Sequence, residues 1–203
     1  MSKLVIKFPE ALEIEFATVA LILNSGFETR TIDALILSLV KYEKQLRRLY
    51  FFLVRENSNL KELEIEMEIG GNKSLFAGNF MEGVARISGH KISDVIGGKF
   101  NVLNNKMVKL NGRRNKLIHG QRTGAKLGSD DLVAHIKDVV DWMNALSIGA
   151  AKKFNFDGVN RIYPKRKLIS NGGEPKLNKL ADLQSQIEEI SKPKYRKNTD
   201  TFP

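Results

Sequence analysis

At 203 residues the chain is long enough for one domain with a real core and a trailing appendage, and a squeeze for two full domains. Its 33 Lys and Arg against 23 Asp and Glu give a formal charge of +10, which favours polyanions as partners, with acidic proteins the plainer alternative. The absence of Cys excludes a disulfide frame, a thiolate metal site and a cysteine nucleophile and fits a reducing cytoplasm, while His90, His119 and His135 lack metal-ligand spacing, so no metal or other cofactor is expected.

The longest apolar run, residues 16–23, falls far short of the roughly 20 residues that span a bilayer. The N-terminus has no cationic segment followed by an apolar stretch, so neither a membrane span nor a secretory signal is read. Residues 4–8 are a short β-favouring run. Pro9 and Glu10 suit the first turn of a helix with Leu12, Phe16, Val19, Ala20 and Leu23 on its buried side, although the β-branched residues also allow a strand. Asn24-Ser25-Gly26 stops that element. Thr31 then reads as the N-cap of a long helix to about Glu56, whose apolar residues cover more than one side, as expected at the centre of a bundle or at a subunit interface. Within it Arg47 and Arg48 are either solvated charges or the lining of an anion-binding groove, and Tyr50-Phe51-Phe52 reads as core.

Residues 60–69 alternate acids with Leu, Ile and Met and permit a helix or an exposed strand, closed by Gly70-Gly71-Asn72. Ser74 is expected to cap a helix through Ile87, in which Gly78 and Gly83 mark either close helix contact or a loosely held element. Residues 91–96 make at most a short helical turn, and Gly97-Gly98-Lys99 is too sparse for a phosphate loop. A helix follows from about Lys99 to Ile118, with Gly112 inside it marking close backbone approach to a neighbouring helix or a ligand. Ser129 or Asp130 caps the last strong helix, to about Lys153, with Leu132, Ile136, Val139, Val140, Met143, Leu146 and Ile148 mainly inward and Trp142 packed. These elements predict an all-α antiparallel bundle of about four to six helices over residues 1–154. Residues 155–203 read as a basic, partly irregular C-terminal extension with one short helix at about 177–190: an RNA-binding arm, a solubilising tail or an inter-subunit wrap.

The chemically suggestive stretch is Asn111-Gly112-Arg113-Arg114-Asn115-Lys116-Leu117-Ile118-His119-Gly120-Gln121. Phe100, Leu103, Met107, Leu110 and Leu117 form one helical face, and Arg114 projects near the middle of that stripe. A long cation there must reach a polar pocket or a partner, because burying it unpaired costs several kcal/mol. Asn115 and His119, four residues apart, share a neighbouring face, whereas Arg114 and His119 lie about 140° apart around the axis. Two copies of the helix packed about a two-fold axis would let one cleft take residues from both chains. His90 reads as a loop residue and His135 as a partly packed helix residue.

Arg114-Asn115-Lys116-Leu117-Ile118-His119 resembles the signature of the HEPN superfamily, an Arg, a polar residue that is often Asn, and a His after four to six intervening positions. The layout of a long central helix carrying Tyr42-Glu43, a motif helix and a closing helix is similar too, over roughly residues 31–153. The resemblance implies a helical bundle that dimerises through the motif region and acts as a metal-independent endoribonuclease in toxin–antitoxin, abortive-infection or CRISPR-linked antiviral defence. Arg114, Asn115 and His119 would then be the catalytic residues, with Lys109, Arg113, Lys116 and Arg122 supplying positive surface for RNA. The implied partners are RNA, a second copy completing a composite active site, and an antitoxin or sensor protein. Where one branch of the family carries an AMP-accepting Tyr two positions after the histidine this chain has Gln121, which argues against control by a nucleotidyltransferase antitoxin. Apart from the resemblance, His119 reads as a helix C-terminal histidine favoured by the dipole, and Arg113 and Arg114 as solvated charges. The competing functions are then a non-catalytic module for RNA or nucleotide binding or for dimerisation, and a duplex-DNA regulator, for which no helix-turn-helix pair is found.

Overall fold

The computed structural model describes residues 6–118, 128–156 and 176–192, and for 115–118 the backbone alone. The described chain is all-α: α1 (Glu13–Leu23), α2 (Arg30–Glu56), α3 (Glu62–Gly71), α4 (Ala77–Ser88), α5 (Ile92–Ile96), α6 (Phe100–Ile118), α7 (Ser129–Phe154) and α8 (Leu180–Ser191). Among the described residues there is no strand, only an isolated parallel bridge between Ser58 and Leu177. The strand allowed at 4–8 therefore does not form over 6–8. Instead the Phe8 ring stacks on Phe16 at 5.2 Å, and apolar burial takes the place of a ladder that has no partner. Residues 4 and 5 lie outside the described chain.

The fold is built around α2. Leu35, Leu39, Tyr42, Leu46, Leu49 and Leu53 are all buried, and their steps of three and four make a core stripe. Against it α7 sets Trp142, whose ring meets Tyr42 edge-on at 4.6 Å. Polar groups fix the same contact: the Gln45 amide donates to the Ser147 hydroxyl at 2.6 Å and to the Met143 carbonyl at 3.2 Å, all three buried. Burial pushes the Tyr42 hydroxyl far above its ordinary pKa, reinforced by the neighbouring Glu43 charge, so Tyr42 stays a neutral core ring.

On the other side of α2, α4 packs through Gly83. A Cβ there would sit 2.6 Å from the Tyr50 ring, so this glycine does permit close helix contact, while Gly78 faces open space. Gly149 of α7 has the same role against α5, where an added Cβ would lie 2.0 Å from the Val95 carbonyl oxygen. At Gly112 the helix contact does not form: among the described residues nothing approaches within 4 Å of the position its Cβ would take.

Several boundaries also move. Thr29, not Thr31, precedes α2; its hydroxyl donates to Asp33 at 2.7 Å, while Thr31 is buried in the first turn. Ser74 bonds Asn72, and α4 starts at Ala77 with the Phe76 amide donating to the Asn79 side chain at 2.8 Å. The stretch from residue 60 resolves as the helix α3, starting at Glu62, because Ile65 and Ile69, four apart, are the buried pair while Leu63 and Met67 are exposed. Ile148 points outward at 64% exposure, opposite to expectation, since Gly149 beside it takes the contact with α5. Within the C-terminal extension, α8 buries Leu183, Ile187 and Ile190 in the same apolar cluster as α3 and α4, and Phe156 meets Phe52 at 5.0 Å. That part of the extension shares the bundle's core.

These contacts set opposite signs for two glycine substitutions. Gly149→Ala drives a methyl into backbone and is expected to lower the stability measured by urea unfolding by about 1–3 kcal/mol or more. Gly112→Ala, in open space inside a helix, should raise it by about 0.5–1 kcal/mol.

Candidate functional site

The site is assembled on the last turns of α6, which packs against α7 and α5 and reaches α2 through the Arg114–Glu43 pair. Leu103, Met107 and Leu110 are buried and anchor the helix, as their spacing predicts, and Phe100 is half-buried. Arg114 continues that stripe and finds the partner its position demands. Its Nη1 donates to Glu43 Oε1 of α2 at 3.0 Å, with side chains 22% and 25% exposed. Its Nε is buried and makes no hydrogen bond, so among the described residues a guanidinium with five donors is pinned by one bond and keeps capacity for a further acceptor.

Arg113, one residue earlier and turned by about 100°, reaches α7 instead. Its Nη1 contacts His135 Nε2. An arginine only donates, so the imidazole accepts at Nε2 and carries its proton on Nδ1, which faces Asp138 Oδ2 at 3.7 Å. Asp138 in turn binds Lys106 Nζ at 2.6 Å and holds that ammonium above its ordinary pKa. Lys106, Asp138, His135 and Arg113 thus form a polar ladder along the α6–α7 seam. His135 is half-buried in a helix, as expected, but its place beside the motif was not foreseen. The only sequence signal was its i, i+3 spacing to Asp138 on a helix facing the cationic one.

Of the other expected site residues, only Lys109 has a described side chain. Lys109 is exposed on α6. Asn115 and Lys116 belong to α6 by backbone, with side chains outside the described part, and His119 and Arg122 lie outside the described residues altogether. His90 is an exposed residue after α4, its ring 6.0 Å from Phe154. Among the described residues no group of three or more His, Asp and Glu is arranged to hold a metal ion, and no helix is long and apolar enough to cross a membrane.

Electrostatically the two arginines differ. Arg114 is neutralised by Glu43, whereas Arg113 meets an uncharged ring nitrogen and retains its charge. An anion arriving at this end of α6 therefore meets Arg113 and Lys109 first and reaches Arg114 by sharing it with Glu43. No protein-family model matches the chain, and no curated protein or solved structure shows significant similarity to it.

The Arg114–Glu43 pair is half-screened by solvent, so a double-mutant cycle on Arg114→Ala and Glu43→Ala should give a coupling of about 1 kcal/mol in unfolding free energy. A coupling indistinguishable from zero would mean that the two groups do not hold each other.

Proposed function

We propose that this chain is a metal-independent endoribonuclease of the toxin or antiviral-defence kind, working in the cytoplasm as a dimer on RNA, with an antitoxin or sensor protein holding it in check. The observation that carries the reading is Arg114: a guanidinium set into the apolar face of α6, fixed by Glu43, with a buried donor left over, five residues ahead of His119. The resemblance to the HEPN signature supports it.

In the proposed reaction a ribose 2′-hydroxyl attacks the adjacent phosphorus while an imidazole takes its proton, and the bond from phosphorus to the 5′-oxygen breaks as that oxygen receives a proton. The products are a 2′,3′-cyclic phosphate and a 5′-hydroxyl. A histidine has a reference pKa of about 6.5 and can do either proton transfer near neutrality. Arg114 would stabilise the charge gathering on the phosphorane oxygens, and Asn115 would orient the histidine or the phosphate. Arg113, Lys109, Lys116 and Arg122 would hold the strand by its phosphates. DNA lacks the attacking hydroxyl and would resist.

A second reading has its own support. Both arginines have partners inside the bundle, Arg114 on Glu43 and Arg113 on His135, which suits a non-catalytic HEPN-like module that binds RNA or nucleotide, or dimerises. Incubation with RNA in EDTA separates the two. The nuclease should cleave, and Arg114→Ala and His119→Ala should each slow it by about 10²–10⁴-fold. RNA left intact by a protein that still binds it would establish the module instead.

A further inference from the structure

At the other end of α6 from Arg114, a cleft of about 720 Å³ opens between the turn that joins α5 to α6 and the end of α7. Lys99, Lys152 and Lys153 line it together with Ala145 and Ile148. All three lysines are exposed, and none is paired with a carboxylate among the described residues. Asp94 also lines the cleft, its carboxylate already accepting from the Lys91 amide at 3.0 Å, so three cations face one anion. The carbonyls that end α7 suit Lys152 and Lys153, but they do not account for Lys99 meeting them from the opposite wall.

The cleft is one end of a line. Lys99, Lys106 and Arg113 recur every seven residues, two turns or about 10 Å apart, and each turns toward α7: Lys99 in the cleft, Lys106 on Asp138, Arg113 on His135. Val102, 63% exposed, falls between the first two on the same side by helical step. Charge along this seam is uneven. Lys106 is cancelled by Asp138, with Asp141 close by, whereas Arg113 meets a neutral ring and the cleft keeps its excess of cations. Two positive ends about 21 Å apart are thus separated by a neutral, partly apolar middle.

We propose that the cleft is the far anchor of a single RNA strand whose reactive phosphate lies at Arg114, with the intervening nucleotides along the α6–α7 seam. This rests on the reading of RNA as the partner. A strand stacked as in a duplex advances about 3.4 Å per phosphate, so about 21 Å is roughly six nucleotides, and fewer when the strand is extended. A single row of cations follows one backbone, and Val102 and Ile148, 63% and 64% exposed, offer sugars and bases an apolar face between the phosphate contacts. Gripping the two ends and not the middle makes affinity depend on length. A strand too short to reach from Arg113 to the cleft gains only one set of contacts.

The probes are fluorescein-labelled 2′-O-methyl RNA strands of about four and about eight nucleotides, in which the attacking hydroxyl is blocked, titrated with the full chain and followed by anisotropy. The longer strand should bind more tightly, and its advantage over the shorter one should shrink by about tenfold in Lys99→Ala with Lys152→Ala and Lys153→Ala. In the same variant the slope of log affinity against log salt for the longer strand should fall by about 2. An equal loss of charge elsewhere, Lys44→Ala with Lys61→Ala and Lys73→Ala, should leave the advantage within about twofold. Circular dichroism of each variant checks the fold. An undiminished advantage in the folded cleft variant, the same drop in the control variant, or no measurable binding of the longer strand overturns the proposal. So does AMP that binds the wild-type chain and not the cleft variant while the longer strand is unaffected, because the occupant is then a small phosphorylated ligand. The probe strands cannot be cut, so the outcome is separate from the nuclease test. A chain that cleaves RNA without the length effect loses this inference alone, and one that shows the effect without cleaving keeps it and loses the nuclease.

Discussion

The constraint on which the rest of the molecule depends is that α2 is packed on most of its circumference, against α1, α3, α4 and α7. A 27-residue helix contributes Tyr42, Gln45 and Tyr50 to contacts with α7 and α4, and the Phe51 edge to the groove beside α3. With so much apolar surface committed, α2 cannot rotate without breaking several contacts together, and its remaining polar positions are aimed by default. Glu43, Lys44 and Arg47 owe their placement to the leucines and aromatics one turn away. The Gln45–Ser147 hydrogen bond inside the core adds a fixed register, because a slip of α7 along α2 would leave buried polar groups without partners.

From that fixed helix the basic end of α6 acquires its geometry. Glu43 reaches across to Arg114, and α7, itself locked by Trp142 and Gln45, presents His135 and Asp138 to Arg113 and Lys106. Successive arginines in one helix are thereby sent to different neighbours, one to an anion and one to a neutral ring. Their electrostatic character is set by those partners and not by their own sequence neighbourhood. The charge of Arg114 is offset by Glu43, so Arg113 is the better long-range attractor for a phosphate.

Much of the scaffold was legible because burial follows the helical period. The stripes on α1, α2, α6 and α7 could be read directly, and the oddity of an arginine inside the α6 stripe correctly implied a polar partner. The partner itself was not legible: Glu43 is 71 residues away, and no local pattern links positions on different helices. Gly149 escaped notice for a similar reason, since a glycine inside an amphipathic helix carries no mark of the Val95 carbonyl packed over it. Ile148 was misplaced because an apolar side chain near the edge of a wide stripe can face either way, and the contact with α5 decided it. In residues 60–69 two periods coexist in the letters, and only the choice to bury Ile65 and Ile69 selects the helix. The proposed catalytic histidine follows the last described turn of α6, so its part in the site rests on the motif rather than on geometry.

The central claim is that two copies of this cationic helix end form one reactive cleft. Subunit complementation tests it most directly: Arg114→Ala and His119→Ala chains, each inactive alone, are unfolded together, refolded as a 1:1 mixture and assayed on RNA in EDTA. A cleft built from the arginine of one chain and the histidine of the other predicts that the mixture recovers up to about one quarter of wild-type activity, since half of the dimers carry one intact site of two. A mixture no more active than either variant by itself, from a wild-type protein that does cleave, would contradict a shared cleft.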